Sequence, residues 1–182
     1  MNIHLDLHEQ ATRGQILDTL LENMTAEERA TFDAVLDGAT IPDMHHHSIV
    51  EVNQTIDTLD VPDQVKTDLR GVYDILAHAE AKVHGCPVEE THFHEVGNPS
   101  GIRNALAICA AFYALHPETV SASAIQTGEG EVECAHGVLP LPAPATAAIL
   151  EGLPLEEKRL PGERCTPTSA AIIKYFVQSF EV

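Results

Sequence analysis

The chain has 182 residues, with 28 acidic against 10 basic side chains and a formal net charge of -18. That length can bury a core, and the acidity excludes nucleic acid and anionic membrane surfaces as partners. No stretch approaches the apolar length of a membrane span and residues 1–6 lack signal-peptide character, so a cytoplasmic location is expected.

Residues 3–7 read as a short strand, and Ile16, Leu17, Leu20, Leu21 and Met24 then recur at helical spacing. Thr25 and Glu28 form a capping box for a helix whose stripe is Phe32, Val35 and Leu36, stopped by Gly38. A polar connection, residues 39–47, carries Pro42 and His45-His46-His47, read as a solvated run or as a relay handing a soft metal to a deeper pocket. Ser48 and Glu51 form a second box, with Ile49, Val52, Ile56 and Leu59 inward. The longest helix follows Asp60-Val61-Pro62, buries Val65, Leu69, Val72, Leu76, Ala79 and Val83, and ends at Gly85. Residues 1–85 are therefore mainly helical.

The pattern changes after Cys86-Pro87. Thr91-His92-Phe93-His94-Glu95-Val96-Gly97 reads as a strand with His92 and His94 on one face, because side chains at i and i+2 leave a strand together. Two imidazoles so placed suit a transition metal, although a bare His-x-His is more commonly a pair of surface or hydrogen-bonded core rings. Gly97-Asn98-Pro99-Ser100-Gly101 is a turn leading to a helix from Ile102, apolar nearly all round. Residues 120–125 and 131–134 read as strands about Thr127-Gly128-Glu129-Gly130, and residues 139–144 are extended by their prolines, shaping the rim of a cleft. A helix starts at Pro144 and another at Cys165-Thr166-Pro167-Thr168. The fold class is α/β: one domain, 1–182, in which a helical N-terminal part packs beside a mixed α/β layer formed by residues 86–182. Eleven histidines are the compositional anomaly, while Cys86, Cys109, Cys134 and Cys165 form no C-x-x-C pair and read as free thiols.

His92-Phe93-His94-Glu95-Val96-Gly97, Cys134-Ala135-His136-Gly137, Pro140-Leu141-Pro142-Ala143-Pro144-Ala145-Thr146 and Gly162-Glu163-Arg164-Cys165-Thr166-Pro167-Thr168 occur in this order. Together with Ala79-Glu80-Ala81-Lys82-Val83-His84-Gly85 they resemble the LarC nickel-insertion family. The resemblance implies insertion of nickel into a pyridinium bisthiocarboxylate mononucleotide, giving the nickel-pincer nucleotide cofactor. It implies a metal, nickel or zinc, at His92, His94 and His136. Glu95 is implied as the catalytic carboxylate, and Thr166, Thr168 and His136 as contacts to an anionic nucleotide-like precursor. CTP with a divalent metal enters only through a C-terminal-half partner chain, and a homo-oligomer is expected.

The departures are specific. Asp6 is present, but the Gly- and Ser-rich loop ending in Gly-Asp-Met that usually follows is replaced by Leu-His-Glu-Gln-Ala-Thr-Arg-Gly-Gln. Ser100 and Asn104 stand where the family usually shows aspartates, and Ser169 where it shows glycine. Three readings follow. The chain is the N-terminal-half subunit of a nickel chelatase, or a catalytically inactive metal- or nucleotide-binding module, or, least supported, a metal-dependent hydrolase.

Overall fold

The computed structural model describes residues 1–181. β1 (Asn2–Leu5) turns Ile3 and Leu5 inward and His4 outward, the two-residue period of a half-buried strand. α1 (Arg13–Glu22) is capped by Thr12, whose hydroxyl accepts the Gln15 N–H at 3.2 Å. α2 (Ala26–Asp37) opens on the complete Thr25–Glu28 box. α3 (Ile49–Thr58) opens on Ser48, but Glu51 reaches back to the His47 amide, so the second box is only half formed. α4 (Asp63–His84) ends where Gly85 takes φ 66°, a left-handed conformation that glycine adopts without steric cost.

α5 (Pro99–Leu115) starts three residues before Ile102, because proline fits the first helical position, where its missing N–H is no loss. β2 (Thr119–Ser123), β3 (Gly128–Glu129), β4 (Glu131–Cys134) and β5 (Gly137–Pro140) follow. α6 (Pro144–Leu150), β6 (Gly162–Glu163), α7 (Pro167–Phe176) and β7 (Ser179–Glu181) complete the order. β2 lies between β1 and β7 and runs parallel to both, with Ile3 opposite Val120 and Ala122 opposite Phe180. β4 and β5 form an antiparallel hairpin with Ala135 and His136 at its tip, and β3 pairs antiparallel with β6.

The architecture is the expected α/β arrangement of helices beside small sheets. The change of composition at residue 85 is not a cut in the fold, since β1 from the first part pairs with β2 from the second. α4 is the central helix and packs against α3, α5, α6 and α7. The core is continuous from the sheet through α4 and α5, whose small residues Ala105, Ala110 and Ala111 are fully buried. No helix among the described residues is long and apolar enough to cross a membrane.

The departure from the sequence expectation that matters most to the cleft lies at residues 91–95. Residues 91–95 form no strand. The segment is irregular and is held by the histidine run: the His46 N–H donates to Gly97 O at 2.8 Å, and the Phe93 N–H donates to His47 O at 2.7 Å. The Tyr73 hydroxyl adds a bond to Val96 O at 2.8 Å. Phe93 and Val96 are buried as expected, yet the directions of the neighbouring side chains follow this long-range pairing rather than a pleat. The run itself is no solvated stretch. His46 is fully buried against the Thr55 hydroxyl at 2.7 Å, and His45 contacts Phe93 O at 2.6 Å and the Asn98 side-chain amide at 2.7 Å.

Gly97 is required by this pairing, because a Cβ there would lie 1.8 Å from His46 O. Gly97→Ala is therefore expected to destabilise the protein by about 1–3 kcal/mol in urea unfolding, the scale of forced overpacking. Gly14→Ala is the control: nothing lies within 4 Å of that Cβ position on α1, and an unchanged or slightly raised stability is expected.

Candidate metal and ligand cleft

The end of α4, residues 94–101, the β4–β5 hairpin and the starts of α6 and α7 enclose a cleft of about 500 Å³. α4 delivers His84 in its last turn, the irregular segment delivers His94, and the hairpin tip delivers His136. One ligand atom from each of these three histidines lies within 4.8 Å of the others. Their ring centroids are 6.2 Å apart for His84 and His94, 5.0 Å for His84 and His136, and 4.6 Å for His94 and His136. Nitrogens bound at about 2.1 Å to one ion are at most about 4.2 Å apart, so small ring rotations close the set.

Charge favours the ligating form. Desolvation, then the adjacent His136 and His84, lower the His94 pKa below the ordinary imidazole value, leaving its nitrogen lone pair unprotonated. Glu80, one turn before His84 on α4, lies 3.3 Å from His84 Nε2, where a carboxylate can fix ring orientation and raise ligand basicity. Glu95 lines the cleft, and its Oε1 accepts the Ala135 N–H at 3.1 Å, fastening the hairpin tip beside His136. Cys134 also lines the cleft, with its thiol 3.4 Å from Gly137 O. Burial pushes the Cys109 thiol well up and Cys165 to about 12, so both are packing residues rather than nucleophiles.

The opposite wall is formed by helix starts. Thr166 caps α7 by accepting the Ser169 N–H at 3.3 Å, and its hydroxyl lies 2.8 Å from the Ser169 hydroxyl. Ser169, fully buried, thereby belongs to the cap. Thr168 is 4% exposed and lines the cleft with Ser100, Gly101 and Arg13. Glu163 is there too. Partial desolvation and the Glu95 charge raise its pKa, with Arg13 pulling the other way.

The expected ligand trio of His92, His94 and His136 is thus rearranged. The structure brings His94 and His136 together with His84, and leaves His92 exposed outside the group. The physical reason is the missing strand, without which i and i+2 share no face. Sequence reading also missed Glu80 and Arg13. The signal for His84 was its place in the last turn of a helix stopped by Gly85; nothing local marked Arg13.

Comparison with known proteins fits this geometry. The chain is 42% identical over 136 residues to a pyridinium-3,5-bisthiocarboxylic acid mononucleotide nickel insertion protein of Staphylococcus epidermidis, covering 75% of this chain and 34% of that protein. A protein of the same description from Geobacillus kaustophilus is 41% identical over 138 residues, 74% of this chain and 34% of its own length. Another, from Desulfitobacterium hafniense, is 39% identical over 135 residues, 74% and 34% of the two lengths. The chain therefore spans about a third of the length of the curated relatives it matches. No solved structure matches it. The sequence profile described as nickel insertion protein matches residues 5–182, and with these relatives it shows that the chain belongs to the nickel insertion protein family.

Proposed function

We propose that this chain is the N-terminal-half part of a nickel-insertion system, and that it presents nickel to a pyridinium bisthiocarboxylate mononucleotide. The observation that carries the reading is the convergence of His84, His94 and His136 at one side of the cleft. Imidazole suits nickel, and three nitrogen donors leave positions open for the two sulfur atoms of the precursor. Nickel is cargo here: as sulfur replaces nitrogen the histidines release the ion, and neutral imidazoles need shed no proton to bind it. Glu95 keeps His136 in reach by holding the hairpin tip, and of the cleft carboxylates Glu80, Glu95 and Glu163 it is the one to which we assign the catalytic role. Thr166 and Thr168 mark the wall that receives the anionic precursor. CTP with a divalent metal belongs to a C-terminal-half partner in this scheme. We assign the protein to the cytoplasm, where free cysteines persist.

One observation favours the second reading, an inactive binding module: Ser100 lines the cleft where the family resemblance leads one to expect a carboxylate. The readings separate on turnover. The chain alone is expected not to convert precursor, nickel, CTP and a divalent metal to the pincer cofactor, and addition of a C-terminal-half chain is expected to restore product, followed by mass spectrometry. Failure of every such partner to restore turnover selects the binding module.

Metal binding is tested directly. Alanine at His84, His94 or His136 is expected to weaken nickel binding at least tenfold in calorimetry, since even outer partners of ligands contribute about 10- to 100-fold. His92→Ala is expected to bind as the parent does; equal loss there would return the site to the His-x-His pair. Affinity is also expected to fall as the pH drops below about 6, because protons compete for ligand imidazoles. Proton competition sets the sign, and the lowered pKa of His94 moves its share of the loss to lower pH than an unperturbed ring would show. A titration of bound nickel against pH checks this.

A further inference from the structure

Arg13 occupies an electrostatically unfavourable position. It is the first residue of α1, at the positive end of its own helix dipole, and that first turn contains no acidic residue. A Cβ at Gly101 would lie 3.9 Å from an Arg13 guanidinium nitrogen, so the charge also sits beside the start of α5. Among the described residues no carboxylate lies within 4.0 Å of it, in a chain with 28 acidic side chains. Glu163 lines the same wall and is close enough for its charge to feel Arg13, without forming an ion pair with it. Arg13 is also the only lysine or arginine lining the cleft among the described residues.

The surroundings are rich in unused donors. Asn98 makes no capping bond to α5, because its side chain is engaged by His45, leaving the Ser100 and Gly101 amides open. At α7 the cap takes the Ser169 amide and leaves that of Thr168. The Thr168 hydroxyl, on a residue 4% exposed, has no hydrogen-bond partner among the described residues and lines the same cleft. The starts of α1 and α7 are tied together by the Ala11 N–H bond to Arg164 O at 2.7 Å, which fixes Arg13 beside this wall. A cation, two helix N-termini and an unpaired hydroxyl that a largely buried threonine presents to the cleft together describe a site for an oxyanion.

We propose that Arg13, the open amides of α5 and α7 and the Thr168 hydroxyl form a subsite for a phosphate monoester, which holds the phosphate of a pyridinium mononucleotide. The orientation rests on the nickel-insertion reading. Sulfur must face the histidines that carry nickel, and the phosphate, the remaining strongly charged group, then meets the one cation of the cleft. Arg13 selects a phosphorylated substrate over its nucleoside, and a guanidinium supports bidentate pairing that lysine does not reproduce.

The test is binding of nicotinamide mononucleotide, which has the phosphate and no carboxylate, against nicotinate riboside, which has the carboxylate and no phosphate. Calorimetry on the full chain is expected to show Arg13→Gln weakening the mononucleotide at least tenfold, the scale of a charged hydrogen bond, with the riboside unchanged. Thr168→Val is expected to weaken it severalfold. Unchanged circular dichroism and unchanged nickel affinity in Arg13→Gln show that the variant is folded. The proposal is overturned if the mononucleotide does not bind the parent, if Arg13→Gln binds it equally, or if the riboside is the ligand that suffers. A variant with alanine at His84, His94 and His136 separates the two levels: retained, Arg13-dependent mononucleotide binding supports the subsite even where nickel binding fails.

Discussion

The cleft depends on one set of backbone bonds, those between residues 46–47 and residues 93–97. An irregular segment whose apolar side chains are buried must still satisfy its amides and carbonyls. Here it does so against another irregular segment rather than within a sheet. His46 and His47 supply one donor and one acceptor, Tyr73 supplies a hydroxyl from the central helix, and Phe93 anchors the segment in the core. His94 and Glu95 then stand on a fixed backbone between α4 and the hairpin. The close approach at Gly97 makes this arrangement intolerant of any side chain there.

That scaffold separates two kinds of chemistry across one cleft. On one side are imidazole nitrogens, with a lowered His94 pKa, and two carboxylates that bond His84 and the hairpin tip. On the other are a guanidinium, helix amides and the Glu163 carboxylate. A ligand set with no carboxylate in it favours a borderline transition metal over magnesium or calcium, which take oxygen ligands.

Much of the fold was legible in the sequence because its signals are local. The Thr25–Glu28 box, the stripe of α4 from Val65 to Ala79, the Gly85 stop and the strand that became β4 depend on neighbours within a few residues, whereas Val83, expected inward, is exposed. The start of α5 was misplaced because the turn reading ignored how well proline serves as a first helical residue. β7 follows α7 too closely, and is too short, to show a period of its own. The site was half legible. His94 and His136 were found, but the partner given to them was the nearest histidine in sequence. His92-Phe93-His94 alternates like a strand, and only a bond partner some 46 residues away in the chain, His47, says otherwise. Likewise His45-His46-His47 looked polar because its burial comes from contacts to Thr55, Phe93 and Asn98.

The same histidine run explains why the α5 terminus remains available. Asn98 is the residue that would ordinarily cap the helix through its side chain. Its amide instead meets His45, while the pairing of His46 and His47 holds the loop before it. The histidine run thus does two things: His46 and His47 fix the backbone around His94, and His45 engages the side chain that would cap α5. A cap supplied from within would have satisfied those amides at the start of folding. Without it, the positive end of α5 lies beside the Arg13 guanidinium, with the Glu163 carboxylate as the nearby countercharge.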